Sequence, residues 1–249
     1  MCATCGCSDG SGVRVIDPEH GHGHGHGHPT ETVAMEVDVL ARNDDLATVN
    51  RARLAELGVV AVNLMSSPGS GKTTLLERTI RDLGAELPCA VLEGDQETLL
   101  DAERIRAAGA RAIQINTGAG CHLDADMVAA GIHALAPEQG SLLFIENVGN
   151  LVCPALFDLG ETARVVIMSV TEGADKPLKY PHMFRTADLV LLTKIDLLPY
   201  VEFDVGYFTE CARRARPGVA ILPLSATKST ALAAWYEWVR EMNLSAVRS

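Results

Sequence analysis

Apolar residues in the segment 31–58 are sparse and recur as they would on one side of a helix. Val33, Val37 and Leu40 fall at i, i+4 and i+7, and Gly58 provides the stop. Past Gly58 the period changes. "VVAVNLMSS" is a continuous apolar run that breaks into a Gly/Ser loop, the pattern of a strand covered on both faces. The runs "CAVLEGD", "RAIQINT", "SLLFIEN", "ARVVIMSV", "ADLVLLTK" and "VAILPLSA" repeat it. Helix-like segments separate most of them, near residues 73–84, 96–108, 123–136 and 204–215, and "TALAAWYEWVREM" forms a last one. This alternation predicts an α/β fold: a mostly parallel sheet with helices on both faces. Ligands of such sheets bind beyond the carboxyl ends of the strands, where the main chemical motifs of this domain fall.

Residues 1–30 show neither period. They are rich in Gly and His and nearly devoid of large apolar side chains, so they bury too little surface to offset their ordering entropy. The expected division is a disordered metal-binding tail (1–30), a helical segment (31–58) and a nucleotide domain (59–249).

Composition narrows the classes. The 249 residues carry a formal net charge of −11, and the pI is about 5.1. That balance argues against non-specific nucleic-acid binding, which needs a basic face. No apolar run approaches the ~18–20 residues of a membrane span. No basic-then-apolar start suggests a secretory signal. Seven unevenly spread cysteines fit metal-binding thiols in a reducing cytoplasm better than a disulfide framework.

"SSPGSGKTT" (Ser66 to Thr74) follows the first strand and opens a helix, the context of a phosphate loop. Pro68, Gly69, Ser70 and Gly71 would turn backbone N–H groups inward around phosphates. Lys72 would reach the terminal phosphates, and Thr73, followed by Thr74, would offer a hydroxyl to Mg²⁺. Ser66 replaces the usual first glycine, which a strand-like backbone tolerates. "FIENVGN" ends a strand in Glu146, an acid suited to Mg²⁺ or its waters, and Gly149 can give its N–H to a γ-phosphate. "LVLLTKID" supplies a base reader. Lys194 would pack on the purine, and Asp196 would accept two hydrogen bonds from guanine, selecting GTP; Thr193 stands where Asn is commoner. Ser225, Ala226, Thr227 and Lys228 would line the base pocket. Asp95, ending "VLEGD", is the candidate switch residue of the Mg²⁺ shell, or a helix cap, or both.

A softer donor set follows. "GAGCHLDAD" places Cys121 and His122 side by side in a loop before a helix, where adjacent residues can share one ion. A thiolate with an imidazole suits Zn²⁺ or Ni²⁺. Cys153 lies four residues beyond Gly149, a span of at most roughly 14 Å. A metal held by Cys153 would therefore sit on the segment that feels the γ-phosphate, and each would bias the other. Three ligands leave the shell open to water or to a second subunit. Cys89 and Cys211 have no partner spacing and read as core thiols.

The tail adds Cys2, Cys5 and Cys7, three thiolates within one short loop, and His20, His22, His24, His26 and His28 alternating with glycine. The thiolates suit a tight Ni²⁺ or Zn²⁺ site. The histidines suit weak, exchangeable storage sites that release metal in mild acid.

"MCATCGC", "SSPGSGKTT", "EGDQET", "GCHLDADMV", "ENVGNLVCP", "TEGADKPLKYPHMF" and "KIDLLPY" together resemble the hydrogenase nickel-incorporation GTPases, the HypB-type maturation proteins, over essentially the whole chain. The resemblance implies a phosphate-loop GTPase of the dimerising SIMIBI class that stores nickel and helps insert it into the [NiFe]-hydrogenase large subunit precursor. It also implies GTP-dependent homodimers, a HypA-type nickel metallochaperone as partner, and a tight nickel site at the N-terminal cysteines. The family's domain metal site maps to Cys121, His122 and Cys153; some members carry a further His where this chain has Asp126. Lys176, within "TEGADKPLKYP", would approach the nucleotide or the dimer seam, or stand in a plain surface loop. Hydrolysis should be slow, since no water-orienting glutamine or arginine finger is evident. The alternatives are a GTPase serving another nickel enzyme such as urease, a nickel or zinc store, and a metal-responsive regulator.

Overall fold

The computed structural model describes residues 29–95, 100–118 and 120–247. Cys2, Cys5, Cys7, His20, His22, His24, His26 and His28 lie outside the described residues, as do the side chains of Val33 and Val37.

The chain runs α1 (Pro29–Glu56), β1 (Val60–Ser66), α2 (Lys72–Leu83), β2 (Cys89–Asp95), α3 (Leu100–Ala108), β3 (Arg111–Asn116), α4 (Ala125–Leu135) and β4 (Leu142–Glu146). It continues through β5 (Ala163–Ser169), α5 (Lys176–Lys179), α6 (Pro181–Arg185), β6 (Leu189–Thr193), α7 (Val205–Ala215), β7 (Ala220–Pro223) and α8 (Ala233–Val247). All seven strands are parallel, in the order β3-β2-β4-β1-β5-β6-β7. The expected fold class is the observed one.

The predicted strands appear because their apolar runs are buried on both sides; every residue of β1, β4 and β6 is buried. On one face Val60, Val62, Phe144 and Ile167 pack with Leu75, Leu76 and Ile80 of α2, Ile105 of α3 and Trp235 of α8. The opposite face holds two clusters. Ala61, Leu143 and Ile145 meet Val128 and Ile132 of α4, with Leu54 and Leu40 of α1. Val166, Met168 and Leu192 meet Met183 and Phe184 of α6 and Phe208 of α7. Two asparagines fasten α1: Asn43 Nδ2 donates to the Asp158 carbonyl (2.8 Å) and Asn50 Nδ2 to the Ala125 carbonyl (2.8 Å).

The hydrophobic pattern passes over four short pieces: α5, α6 and the 3₁₀ turns Cys153–Ala155 and Ile195–Tyr200. Each is too short to show a period, and proline occupies the first turn of α5, α6 and the Cys153 turn. Among the described residues no helix is long and apolar enough to cross a membrane. From β1 the chain visits β2 and β3 on one flank, returns to β4 beside β1, then crosses to β5, β6 and β7. The crevice at that reversal, beyond the carboxyl ends of β1 and β4, is where such sheets bind ligands.

Candidate functional site

Ser66 is the last residue of β1, so the strand-like backbone that its place in the phosphate loop requires is present. The loop closes at Gly71, the cap of α2, with φ 100° and ψ 24°, a conformation that any side chain would strain. Behind it, Lys72 is only 8% exposed, and its ammonium donates to Ser66 Oγ (2.8 Å). Burial lowers the pKa of Lys72, against the pull of the Glu146 carboxylate. Thr73 Oγ1 donates to Glu146 Oε1 (2.8 Å), joining the end of β4 to the loop.

Neighbouring strands brace the loop from outside. Thr193 Oγ1 donates to the Ser70 carbonyl (2.7 Å) and Lys194 Nζ to the Gly69 carbonyl (2.7 Å). Glu172 receives the Ser67 hydroxyl on Oε2 and the Ser169 N–H on Oε1 (2.9 Å), which gives the start of "TEGADKPLKYP" a physical task. Lys176 of the same motif lies over the Tyr180 ring, 5.2 Å from its centroid, and outside the cleft lining.

The loop, the ends of β2 and β4, and Lys194 enclose a cleft of about 520 Å³. Pro68, Gly69, Gly71, Lys72, Thr73, Thr74, Asp95, Glu146 and Gly149 line it as expected. Glu93, Asp101 and Arg104 line it too, and sequence reasoning missed them. Glu93 could have been found: strand alternation puts it on the same side as Asp95, as one polar residue in an apolar run. Arg104 reads as an ordinary helix-surface charge. It is held by Glu77 (2.9 Å) and Asp101 (2.8 Å) and comes within 3.3 Å of Thr74 Oγ1.

Glu93 and Glu146 are opposite one another in the β2–β4 register and are 3% and 4% exposed. Burial raises the pKa of both, Glu93 to about 8; Lys72 opposes the shift at each, and the Thr73 hydrogen bond opposes it at Glu146. Among the described residues, neither buried Oε2 has a hydrogen-bond partner. Orphaned carboxylate oxygens beside a phosphate loop fit a Mg²⁺ ion, which binds one or two carboxylates together with phosphates.

Asp196 follows Lys194, whose backbone is left-handed (φ 59°), in the turn after β6. Asp196 Oδ1 is buried and unpartnered, as an acceptor reserved for a ligand would be. Ser225 is fully buried beyond β7, and its Oγ receives the Lys228 N–H (3.2 Å) and lies 3.3 Å from Thr227 Oγ1. Ser225 is bridged to Thr230, and Ala226 packs against the core on the α2 side. Strand β7 lies beside β6, so these residues stand next to the Lys194 turn but outside the cleft lining.

Cys121, His122 and Cys153 come together, their ligand atoms all within 4.8 Å of one another. Cys121 Sγ lies 3.6 Å from His122 Nδ1. A tetrahedral ion with bonds of about 2.0–2.3 Å needs donors about 3.3–3.8 Å apart, so a small closure suffices. The His122 ring stacks on Phe157 at 3.9 Å. Burial lowers its pKa, against the Asp124 carboxylate, and this favours the neutral, metal-binding imidazole. Cys153 is fully buried at the start of its 3₁₀ turn. Asp126 is exposed in the first turn of α4 and stands outside the trio. Cys211 is fully buried, as expected of a core thiol, and Cys89 is half-buried against the core with its pKa pushed up to about 11 by burial.

Trio and cleft share the segment 146–153. A Cβ on Gly149 would meet Pro68 Cα and N at 3.0 Å, so this segment lies directly on the phosphate loop. Asn147, 1% exposed, accepts the Leu123 N–H (3.2 Å) beside His122, while its own N–H donates to the Leu64 carbonyl of β1 (3.0 Å). Asn150 Nδ2 donates to the Cys121 carbonyl (3.3 Å), and its Oδ1 accepts the Val152 N–H (2.8 Å) next to Cys153. These asparagines, also missed in the sequence, tie both arms of the trio to the strand ends that carry the cleft.

Residues 60–223 match the family described as CobW/HypB/UreG, nucleotide-binding domain. The hydrogenase maturation factor HypB of Escherichia coli K12 is 56% identical over 205 residues, 82% of this chain and 71% of its own length. The crystal structure of HypB from Archaeoglobus fulgidus superposes with a TM-score of 0.77 at 42% identity, covering 82% of this chain and all of that one. HypB from Helicobacter pylori, solved in complex with nickel, gives 0.77 at 38% identity, covering 82% and 96%. With a nucleotide-binding fold matched over most of its length and curated relatives above half identity, the chain belongs to the CobW/HypB/UreG family, in its HypB branch.

Proposed function

We propose that the protein is a Mg²⁺-dependent GTPase that stores nickel and delivers it to the large subunit precursor of a [NiFe]-hydrogenase, with GTP timing the delivery. Lys72 and the loop amides hold the outer phosphates. Thr73, Asp95 and Glu146 hold Mg²⁺, which supplies charge neutralisation between those phosphates. Asp196 reads guanine, with Lys194, Ser225, Ala226 and Thr227 around the base. The intrinsic rate is slow, because Arg104, the arginine of the cleft lining, is engaged by Glu77 and Asp101.

Ni²⁺ or Zn²⁺ binds at Cys121, His122 and Cys153, and the remaining coordination is completed across a GTP-dependent homodimer. Cys2, Cys5, Cys7 and the five tail histidines capture and buffer nickel. A HypA-type metallochaperone is the exchange partner, and the reducing cytoplasm is the setting in which these thiols stay free.

One observation carries this reading. Cys153 of the soft trio closes the eight-residue segment that begins at Glu146 and presses Gly149 onto the phosphate loop. The test is nickel affinity of the purified full-length protein with a non-hydrolysable GTP analogue and with GDP. Wild type should bind nickel at the domain site with affinities differing by about 5-fold or more between the two nucleotides. Cys153→Ala should lose that component and keep only the nucleotide-independent binding of the tail. Equal nickel affinity in both nucleotide states would remove the coupling and leave a GTPase with an unrelated metal store.

A further inference from the structure

The cleft contains one buried carboxylate more than the proposed machinery employs. Glu93 is 3% exposed, in register with Glu146 across β2 and β4, and among the described residues its buried Oε2 has no hydrogen-bond partner. Adjacent parallel strands lie about 4.8 Å apart, so the two side chains leave the sheet side by side on the face that carries the phosphate loop.

Charge is unbalanced at this place. Two buried carboxylates face one buried ammonium, Lys72, and Lys72 donates to Ser66 rather than to either acid. Arg104 is already paired with Glu77 and Asp101. Glu146 has Thr73 as a donor; Glu93 has no such donor on its orphaned oxygen. An uncompensated carboxylate in a water-poor site is costly, and its cost falls away when a cation enters. Two carboxylates alone are a weak magnesium site, whereas two carboxylates with phosphate oxygens complete one. The geometry therefore makes cation binding conditional on nucleotide.

We propose that Glu93 is a second cation-holding carboxylate for nucleotide-bound Mg²⁺, placed beside Glu146 on the next strand. The inference rests on the reading of the cleft as a Mg²⁺–nucleotide site. It adds a residue whose task is to make the nucleotide's affinity depend on the ion, because its carboxylate contributes only when Mg²⁺ is bound together with the phosphates.

The experiment is a Mg²⁺ titration of a fluorescent GDP analogue bound to the full-length protein, with Mn²⁺ followed by electron paramagnetic resonance as a direct ion readout. Glu93→Gln should raise the half-saturating Mg²⁺ concentration by about 10-fold or more. In EDTA the same variant should bind the analogue within twofold of wild type, because without the ion Glu93 has no part in holding the nucleotide. Glu93→Asp, which keeps the charge and retracts it by one methylene, should fall between the two. A half-saturating Mg²⁺ concentration within twofold of wild type in Glu93→Gln would overturn the proposal. So would an equal loss of nucleotide in Mg²⁺ and in EDTA for both variants, which would mark Glu93 as a brace of the pocket. A wild type whose nucleotide affinity ignores Mg²⁺ would instead sink the reading of the cleft itself.

Discussion

The nucleotide cleft and the Cys121–His122–Cys153 trio hang from one short segment, yet they are built from opposite chemistry. The cleft gathers hard oxygen donors and cationic side chains: Glu93, Asp95, Asp101 and Glu146 with Lys72, Lys194 and Arg104. The trio gathers two thiols and an imidazole stacked on Phe157. Oxygen donors suit Mg²⁺, and sulfur with nitrogen suits Ni²⁺ or Zn²⁺, so two ions can be sorted within a few residues by donor softness alone. The difference in attachment is as instructive. Glu146 ends strand β4 and is bonded to Thr73, whereas Cys153 opens a single 3₁₀ turn beyond a glycine.

The sharpest separation of the two sites comes from Lys72→Ala. Removing the ammonium should slow GTP hydrolysis by about 10²–10³-fold, the usual loss when a charge-stabilising donor is deleted. Zinc bound at the trio in the GDP state should be unaffected, because Lys72 makes no contact there. Hydrolysis assays and equilibrium dialysis of zinc, run on the same preparation, check both halves. A matched loss of zinc would mean that the two sites form one structural unit and the contrast drawn above is false.

Asp196→Asn tests the proposed base reader, in the turn after β6 beside the cleft. The buried Oδ1 of Asp196 is an acceptor waiting for a donor pair, and charge-assisted hydrogen bonds contribute about 1.5–3 kcal/mol each. GTP affinity should fall by about 10- to 100-fold, with XTP recovering part of it, as measured by nucleotide competition. An unchanged preference for GTP would move base recognition to the Ser225 loop.

Much of this was legible beforehand. The strands announced themselves as apolar runs ending in Gly or polar residues, and in a parallel sheet those ends converge. Residues as distant as Thr73 and Glu146 could thus be placed together from their positions alone. Cys121 and His122 were recognisable because adjacent soft donors in a Gly loop are unusual, and Cys153 because it is so near Gly149. What stayed hidden was second-tier support. Asn147 and Asn150 look like loop residues until the fold brings Leu123 and Cys121 to them, 24 and 29 residues away in sequence. Glu93 was overshadowed by Asp95, two residues on. Glu172 lay in a motif with no chemistry to suggest it, until its carboxylate met Ser67.

Asn150 offers a smaller test of the joint. It bridges the Cys121 carbonyl and the Val152 N–H, so Asn150→Ala removes two hydrogen bonds that hold the arms of the trio together. At about 1 kcal/mol each, metal affinity should drop by roughly 5- to 30-fold, and the difference between GTP-analogue and GDP states should shrink. Nucleotide affinity itself should stay within twofold, because Asn150 is not in the cleft lining. Isothermal titration with zinc in each nucleotide state separates the two effects. Should nucleotide affinity fall as far as metal affinity, the asparagine supports the phosphate loop rather than the trio.

The smallest effect belongs to neither site and sets the range in which both can be measured. Metal binding to thiols tightens with rising pH, so experiments on the trio invite alkaline conditions. The scaffold responds in the opposite sense. Tyr236 of α8 donates its hydroxyl to Asp82 of α2 (2.6 Å), and burial, then this bond, push its phenol up to about 12 from the ordinary 10.0. The folded state thus holds the proton more tightly than the unfolded chain. Its contribution to stability is complete below pH 10.0 and is lost as pH rises toward 12, because there the unfolded chain binds fewer protons. Tyr236 is partly solvent-screened, so the loss should amount to no more than about 2–4 °C in Tm. Thermal unfolding of wild type and Tyr236→Phe between pH 9 and pH 12 should converge as pH rises, the variant starting lower and falling less. Parallel curves would show that the α2–α8 seam carries no proton-linked stability.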